Sequence, residues 1–108
     1  MQFSNFRRVF GNRPIVRVID FFLDNQEFDY SLADVIRSEN IQYVTVKTVW
    51  DELVTRSVLT PTRKSGKATL YRLNTKSALV QQFIKLDLEL TPPARKLKKG
   101  HQFPKQIT

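Results

Sequence analysis

Between residues 31 and 74 the hydrophobic period changes from helical to extended within a short span, and few folds accommodate the change. Leu32, Val35 and Ile36 recur at helical spacing over residues 31–38, and Val46, Val49, Trp50 and Leu53 do so over residues 41–53. Only Glu39-Asn40 separates the two segments, so they form a helix, a tight turn and a second helix. Val58-Leu59-Thr60-Pro61-Thr62-Arg63-Lys64 and Ala68-Thr69-Leu70-Tyr71-Arg72-Leu73-Asn74 then flank a Ser65-Gly66-Lys67 turn, the pattern of a two-stranded ribbon. The expected fold class is mostly α with a small β hairpin.

The ends of these elements carry matching signals. Ser31 with Asp34 approximates a capping box, with Asp in place of the usual Glu. The turn after the first helix needs a left-handed residue, and Asn40 tolerates that backbone better than most. Before Ser31, Phe28 and Tyr30 alternate with Glu27 and Asp29, which predicts a short strand.

Either side of this block the chain is also helical. Asn12 is expected to cap a helix with Pro14 in its first turn and Ile15, Val18, Ile19 and Phe22 on one face, ending near Asp24-Asn25. Ahead of it, Phe3, Phe6, Val9 and Phe10 fall at near-helical spacing, with Arg7 and Arg8 on the other side, before Gly11-Asn12 interrupts. After the ribbon, Asn74 or Thr75 is expected to cap a long helix with Leu79, Phe83, Leu86 and Leu90 as its stripe, widened by Val80 and Ile84 and ended by Pro92-Pro93. The remainder holds Arg95, Lys96, Lys98, Lys99 and Lys105 and no acid, and reads as a mobile basic tail. The organisation is therefore an N-terminal amphipathic segment (1–11), a central domain (12–74), a C-terminal helix (75–91) and the tail (92–108).

Composition narrows the function classes. A chain of 108 residues with 41% apolar content suits one domain with a real core. With no cysteine and His101 as the single histidine, neither a metal centre, a disulfide nor another cofactor is expected. The acids are scattered apart from Asp51-Glu52 and the Asp87/Glu89 pair on helix surfaces, so an enzyme is not expected. No apolar run reaches membrane length, and the first ten residues lack a signal-peptide layout, which points to the cytoplasm. Eighteen basic against ten acidic residues give a net charge of +8, favouring a polyanionic partner, nucleic acid before membrane surface. Charge alone does not separate DNA from RNA, and a merely basic surface would share it.

The outward face of the second helix is the candidate reading surface. Lys47 can reach a phosphate or a guanine edge, Thr45 and Thr48 can donate to phosphate or base, and Val44 can pack on a thymine methyl. Gln42 and Tyr43, near the helix start, are placed for phosphate. Arg63, Lys64 and Lys67 crowd the hairpin tip around Gly66, and Arg72 follows on the return strand. Ser65-Gly66-Lys67-Ala68-Thr69 is not a phosphate-binding loop, because Pro61 stands where that motif needs glycine.

Helix, tight turn, helix and basic hairpin is the order of parts in a winged helix-turn-helix, here with an extra C-terminal helix. Residues 12–90 resemble a small archaeal-type winged helix-turn-helix transcriptional regulator. The resemblance is carried by Gly11-Asn12-Arg13-Pro14-Ile15, Phe28-Asp29-Tyr30-Ser31, the Arg63-Lys64-Ser65-Gly66-Lys67 wing and Leu70-Tyr71-Arg72-Leu73-Asn74. Two positions depart from the pattern: Asn40 stands where glycine is usual, and Ile36 stands where a small residue is usual and should push the two helices slightly apart.

The resemblance implies sequence-specific binding of double-stranded DNA by a homodimer, with the helix from Gln42 in the major groove and the wing on the backbone or minor groove. Dimerisation is expected through Phe3, Phe6 and Phe10 with Leu79, Phe83, Leu86 and Leu90, setting half-sites near one DNA turn, roughly 34 Å. About six phosphates neutralised per subunit would give a salt slope of roughly −5. A protein–protein interaction module and a non-specific architectural nucleic-acid binder are the alternatives, since such folds serve several uses. Any small-molecule effector, and the operator itself, are not legible.

Overall fold

The computed structural model describes residues 4–90; Phe3, the Pro92-Pro93 stop and the basic tail lie outside the described residues. Five helices and one hairpin follow in the order α1 (Asn5–Phe10), α2 (Pro14–Asp24), α3 (Leu32–Glu39), α4 (Tyr43–Thr55), β1 (Leu59–Ser65), β2 (Ala68–Leu73) and α5 (Ala78–Leu90). The mostly helical class with one antiparallel hairpin is thus observed. β1 and β2 pair from Leu59 opposite Leu73 to Ser65 opposite Ala68, with the register slipping between Pro61 and Arg63. Proline brings no N–H to the ladder, so an irregularity beside Pro61 is where the pairing loses least.

The strand expected at Phe28–Tyr30 contracts to a single bridge. Tyr30 N–H donates to the Tyr71 carbonyl at 2.7 Å, and Tyr71 N–H donates back at 2.8 Å. It stops there because Ser31 is already the cap of α3. Asp34 N–H donates to Ser31 Oγ at 3.1 Å while Ser31 N–H donates to Asp34 Oδ2 at 2.9 Å, a complete capping box. At the other end Asn40 adopts the left-handed conformation (φ 54°, ψ 51°) and donates its N–H to the Ile36 carbonyl, closing α3 and turning the chain into α4.

Two expected caps are displaced. Arg13, not Asn12, is the N-cap of α2 and contributes no side-chain bond, with Pro14 in the first helical position as expected. α5 begins at Ala78, and Val80 N–H donates to Ser77 Oγ at 3.3 Å, so neither Asn74 nor Thr75 caps it. Asn74 is otherwise engaged: its Nδ2 donates to the Ser57 carbonyl at 2.9 Å and its Oδ1 accepts from Lys76 N–H. It ties the end of β2 to the α4–β1 turn.

The core lies between α2, α3, α4 and the hairpin base. Val18, Phe22, Val35, Val46 and Val80 are fully buried, and Trp50, Leu53, Leu59 and Leu73 nearly so. Edge-on aromatic contacts run from Phe22 to Trp50 (5.7 Å between centroids) and from Trp50 to Tyr71 (5.5 Å), joining α2, α4 and β2. Ile36 packs half-buried against this cluster. Ile15 does not share the burial of Val18, Ile19 and Phe22 and is 37% exposed.

The N-terminal segment and α5 cover much of each other's apolar surface within one chain. Phe6 is buried, Phe83 and Leu90 pack on the core, and Asn5 Nδ2 donates to the Leu90 carbonyl at 2.6 Å. On α5 Val80, Phe83, Ile84, Asp87 and Leu90 turn inward, so of the expected Leu79–Phe83–Leu86–Leu90 stripe Phe83 and Leu90 face the core while Leu79 and Leu86 are exposed. Phe6 therefore needs no partner subunit for its burial. Val9, Phe10, Leu79, Leu86 and Leu88 remain exposed.

Beneath α1 runs an ion network that no local pattern announces. Arg7 Nε donates to Asp20 Oδ2 at 2.6 Å, and Ser4 Oγ donates to the same oxygen at 3.0 Å. Arg7 Nη2 reaches Glu39, whose carboxylate also accepts from Arg17 Nε at 3.3 Å and whose carbonyl accepts from Arg17 Nη2. The network is lopsided. Burial alone would lower Arg7, but hydrogen bonds and charge from Glu39 and Asp20 hold it above its ordinary value. Asp20 is pushed up by burial and by nearby Asp24, which outweigh Arg7 and Ser4, and its Oδ1 has no hydrogen-bond partner.

Arg7→Met should therefore destabilise the protein by about 3–5 kcal/mol in urea unfolding, since the buried Asp20 loses its cation and the half-buried Glu39 is left with Arg17 alone. Asp20→Asn should be milder and pH-dependent. A carboxyl raised in the fold contributes most below the unfolded carboxylate range and loses that contribution as pH rises through its raised value. Relative to wild type, Asp20→Asn should gain stability as the pH is raised above about 4. A loss over that window would contradict the assignment.

Candidate nucleic-acid interface

The capping box and the left-handed Asn40 fix how α4 leaves the turn, and burial of Val46, Trp50 and Leu53 fixes which side faces out. Tyr43 and Val44 are 56% and 72% exposed, Gln42 and Thr48 are exposed, and Thr45 and Lys47 are half-buried. Gln42 is the N-cap but makes no side-chain cap bond, so no side chain of its own satisfies the amides of the first turn.

Two of the polar groups on this face are spent within the helix. Lys47 Nζ donates to both oxygens of Asp51, at 2.6 and 2.7 Å, which raises the lysine above its ordinary value. Thr48 Oγ1 donates to the Val44 carbonyl at 3.0 Å. What α4 presents unspent is Tyr43, Val44, the hydroxyl of Thr45 and the methyl group of Thr48.

On the hairpin the four expected cations separate into distinct environments. Arg63 is held by Asp29, with Nε donating to Oδ2 at 3.0 Å and Nη2 to Oδ1 at 3.2 Å, a bidentate pair. Thr62 Oγ1 donates to the same carboxylate at 2.6 Å, so Asp29 clamps β1 just past the register slip. Lys64 and Lys67 are exposed and form no ion pair among the described residues. Between them Gly66 takes the left-handed conformation of the turn (φ 62°). Arg72 is half-buried on β2 and likewise unpaired among the described residues.

Tyr43, Ala33, Ile36, Ala68 and Thr69 line one cleft of about 250 Å³, which brings the start of α4 and the first residues of β2 to the same side of the molecule. A second, open groove of about 440 Å³ runs between α4 and the start of α2. Its walls include Arg13 and Ile15, neither of which the sequence reading placed in the site. Asp29 was missed as well. No signal marked Ile15, which lies one turn ahead of the buried Val18–Ile19 pair and so on the face expected to be buried. None existed for Asp29, whose partner is 34 residues away.

Charge is distributed unevenly along the chain. Residues 4–90 hold thirteen basic and ten acidic residues, whereas residues 91–108 hold five basic and none acidic. Most of the +8 therefore belongs to sequence beyond α5. Among the described residues no group of acids and histidines could hold a metal ion, and no helix is long and apolar enough to cross a membrane. No protein-family model and no curated protein matches this chain.

The Asp29 clamp is directly measurable. Hydrogen bonding from Arg63 and Thr62, with the charge of Arg63, holds Asp29 below the usual carboxylate range. By NMR titration Asp29 should have a depressed midpoint that returns towards the ordinary value in Arg63→Gln. Its contribution to stability is present above the unfolded carboxylate range and is lost as the pH falls through the depressed value. An unshifted midpoint in wild type would remove the clamp.

Proposed function

We propose that the protein is a non-catalytic, dimeric winged helix-turn-helix regulator that binds double-stranded DNA in a sequence-dependent way. In this reading α3 and α4 are the helix-turn-helix, the β1–β2 hairpin is the wing, and the Tyr30–Tyr71 bridge is the remnant of the short strand that completes the small sheet. The observation that carries it is the shared cleft: the exposed first turn of α4 and the strand that follows Lys67 face the same side. Such a pairing lets one element enter the major groove while the other meets the flanking backbone.

The roles follow from what each side chain has free. Lys64 and Lys67 supply sequence-independent phosphate contacts, with Arg72 behind them. Gln42 and Tyr43 lie at the start of α4, where amides and side chains together favour a phosphate. Val44, Thr45 and Thr48 face base edges. Lys47 and Arg63 join in only where phosphate or base displaces Asp51 or Asp29. The exposed Phe10, Leu79, Leu86 and Leu88 form the surface through which two copies associate, and the tail lysines add general attraction.

A second reading has one observation in its favour. The folded part carries only a small charge excess, and two of its expected cations are already neutralised by its own carboxylates. An interaction module for another protein would need no more than that.

Selection of bound duplexes from a random library at moderate salt tests the proposal. A two-fold symmetric motif is the expected result; binding without a motif would indicate an architectural role, and no binding would favour the interaction module. On the selected duplex, Lys64→Ala with Lys67→Ala should weaken binding to all sequences and reduce the salt slope by about two. Leu86→Asp should shift the protein from dimer to monomer in sedimentation, and a surviving dimer would place the interface elsewhere.

A further inference from the structure

The open groove between α4 and the start of α2 combines two features that belong to a ligand site. Its floor is apolar: Ile15 from α2 and Val44 from α4 line it together with Val49 and Thr48. A single exposed valine is ordinary on a protein surface. Val44, at 72%, is the most exposed of the large apolar side chains among the described residues, and it shares the groove with Ile15 at 37%. The second feature is Arg13, which lines the same groove, is exposed and has no ion pair among the described residues.

The chemistry of the flanking groups narrows the occupant. Lys47 is bound through Nζ to Asp51, so a bidentate guanine contact there would first have to break that pair. The hydroxyl of Thr48 is directed to the Val44 carbonyl, leaving its methyl as the group it offers. A free cation beside an apolar floor is complementary to a phosphate beside an apolar group. In the major groove of unmodified DNA the apolar group on a base edge is the 5-methyl of thymine.

We propose that Ile15, Val44 and Thr48 form a slot that reads a thymine 5-methyl group, with Arg13 on a neighbouring phosphate. The inference rests on the DNA-binding reading above and extends the reading surface from α4 to the first turn of α2. It makes the start of α2 a specificity element: Ile15, in line with Val18 and Ile19 but exposed at the helix start, is where the contact with the base is made.

The test uses the full chain and the duplex recovered by random selection. Each thymine is replaced in turn by uracil, which deletes the methyl and nothing else. One position per half-site should lose affinity roughly fourfold, the value of one buried methyl-sized group. That penalty should disappear in Val44→Ala and in Ile15→Ala, whose exposed side chains leave the circular dichroism spectrum unchanged. Arg13→Gln should instead weaken all duplexes equally, lower the salt slope by about one, and keep the uracil penalty.

Uracil tolerated at every thymine of a genuine selected motif would overturn the slot while leaving DNA binding intact. A penalty that persists in both apolar variants would also overturn it, by placing the methyl contact elsewhere. Failure to select any motif would remove the sequence-specific reading and the slot together, and absence of any binding would remove the DNA-binding reading as well. Shifts of the Ile15 and Val44 amides on titration with an acidic peptide would then assign the groove to a protein partner.

Discussion

Glu39 is the last residue of α3, and both its carboxylate and its carbonyl oxygen are held by arginines from earlier helices. Arg7 of α1 and Arg17 of α2 converge on it one residue before the left-handed Asn40. The turn that aims α4 is thereby fixed twice, once by backbone conformation and once by a charge network. Carboxylates with little exposure, beside guanidinium groups that are themselves largely covered, are strongly coupled in such surroundings. The orphan Oδ1 of Asp20 shows that the network is not ideal for stability. Its value lies in geometry: it ties α1, α2 and the α3–α4 turn into one block, so that α4 and the hairpin keep a fixed relation.

On that block, the surface is quieter electrostatically than the composition suggests. Intramolecular carboxylates take up Lys47 and Arg63, and five of the eighteen cations lie beyond residue 90. A binding surface built this way divides its labour. In the proposed DNA-binding reading, general attraction would come from the hairpin-tip lysines and the basic C-terminal sequence, and discrimination from methyl groups, hydroxyls and a tyrosine. The Asp29 clamp fits the same division, since it holds β1 at Thr62 and Arg63 and leaves Lys64 and Lys67 unengaged.

Much of the fold was legible because its signals are local. The Ser31–Asp34 box, the Asn40 turn, the α4 stripe and the Gly66 hairpin each lie within a few residues, where period and cap chemistry decide the outcome. What stayed hidden depends on distant partners. Nothing near Asp29 identifies Arg63, and nothing near Arg7 identifies Asp20 and Glu39. The α5 stripe held at Phe83 and Leu90 and failed at Leu79 and Leu86, because Leu79, Val80, Phe83, Ile84, Leu86, Leu88 and Leu90 cover most of the helix surface and apolar character alone does not select an inward row. Packing centred the inward row on Val80, Ile84 and Asp87, with Phe83 and Leu90 beside it, carrying a carboxylate inside against its usual preference. Asn12 failed as a cap for a different reason: the chain enters the helix one residue later, at Arg13, directly before Pro14. The candidate site divided similarly, with the α4 face and hairpin tip readable, and Arg13 and Ile15 visible only once α2 was seen beside α4.

The central claim is that one side of the molecule, carrying the first turns of α2 and α4 and the hairpin tip, is where duplex DNA is engaged. Amide chemical-shift mapping during titration with a short duplex addresses it most directly. The account predicts perturbations concentrated at residues 13–15, 42–48 and 63–67, with α1 and the outer face of α5 unmoved at constant protein concentration. Perturbations centred on Val9, Phe10, Leu79 and Leu86, or none at saturating duplex, would contradict it.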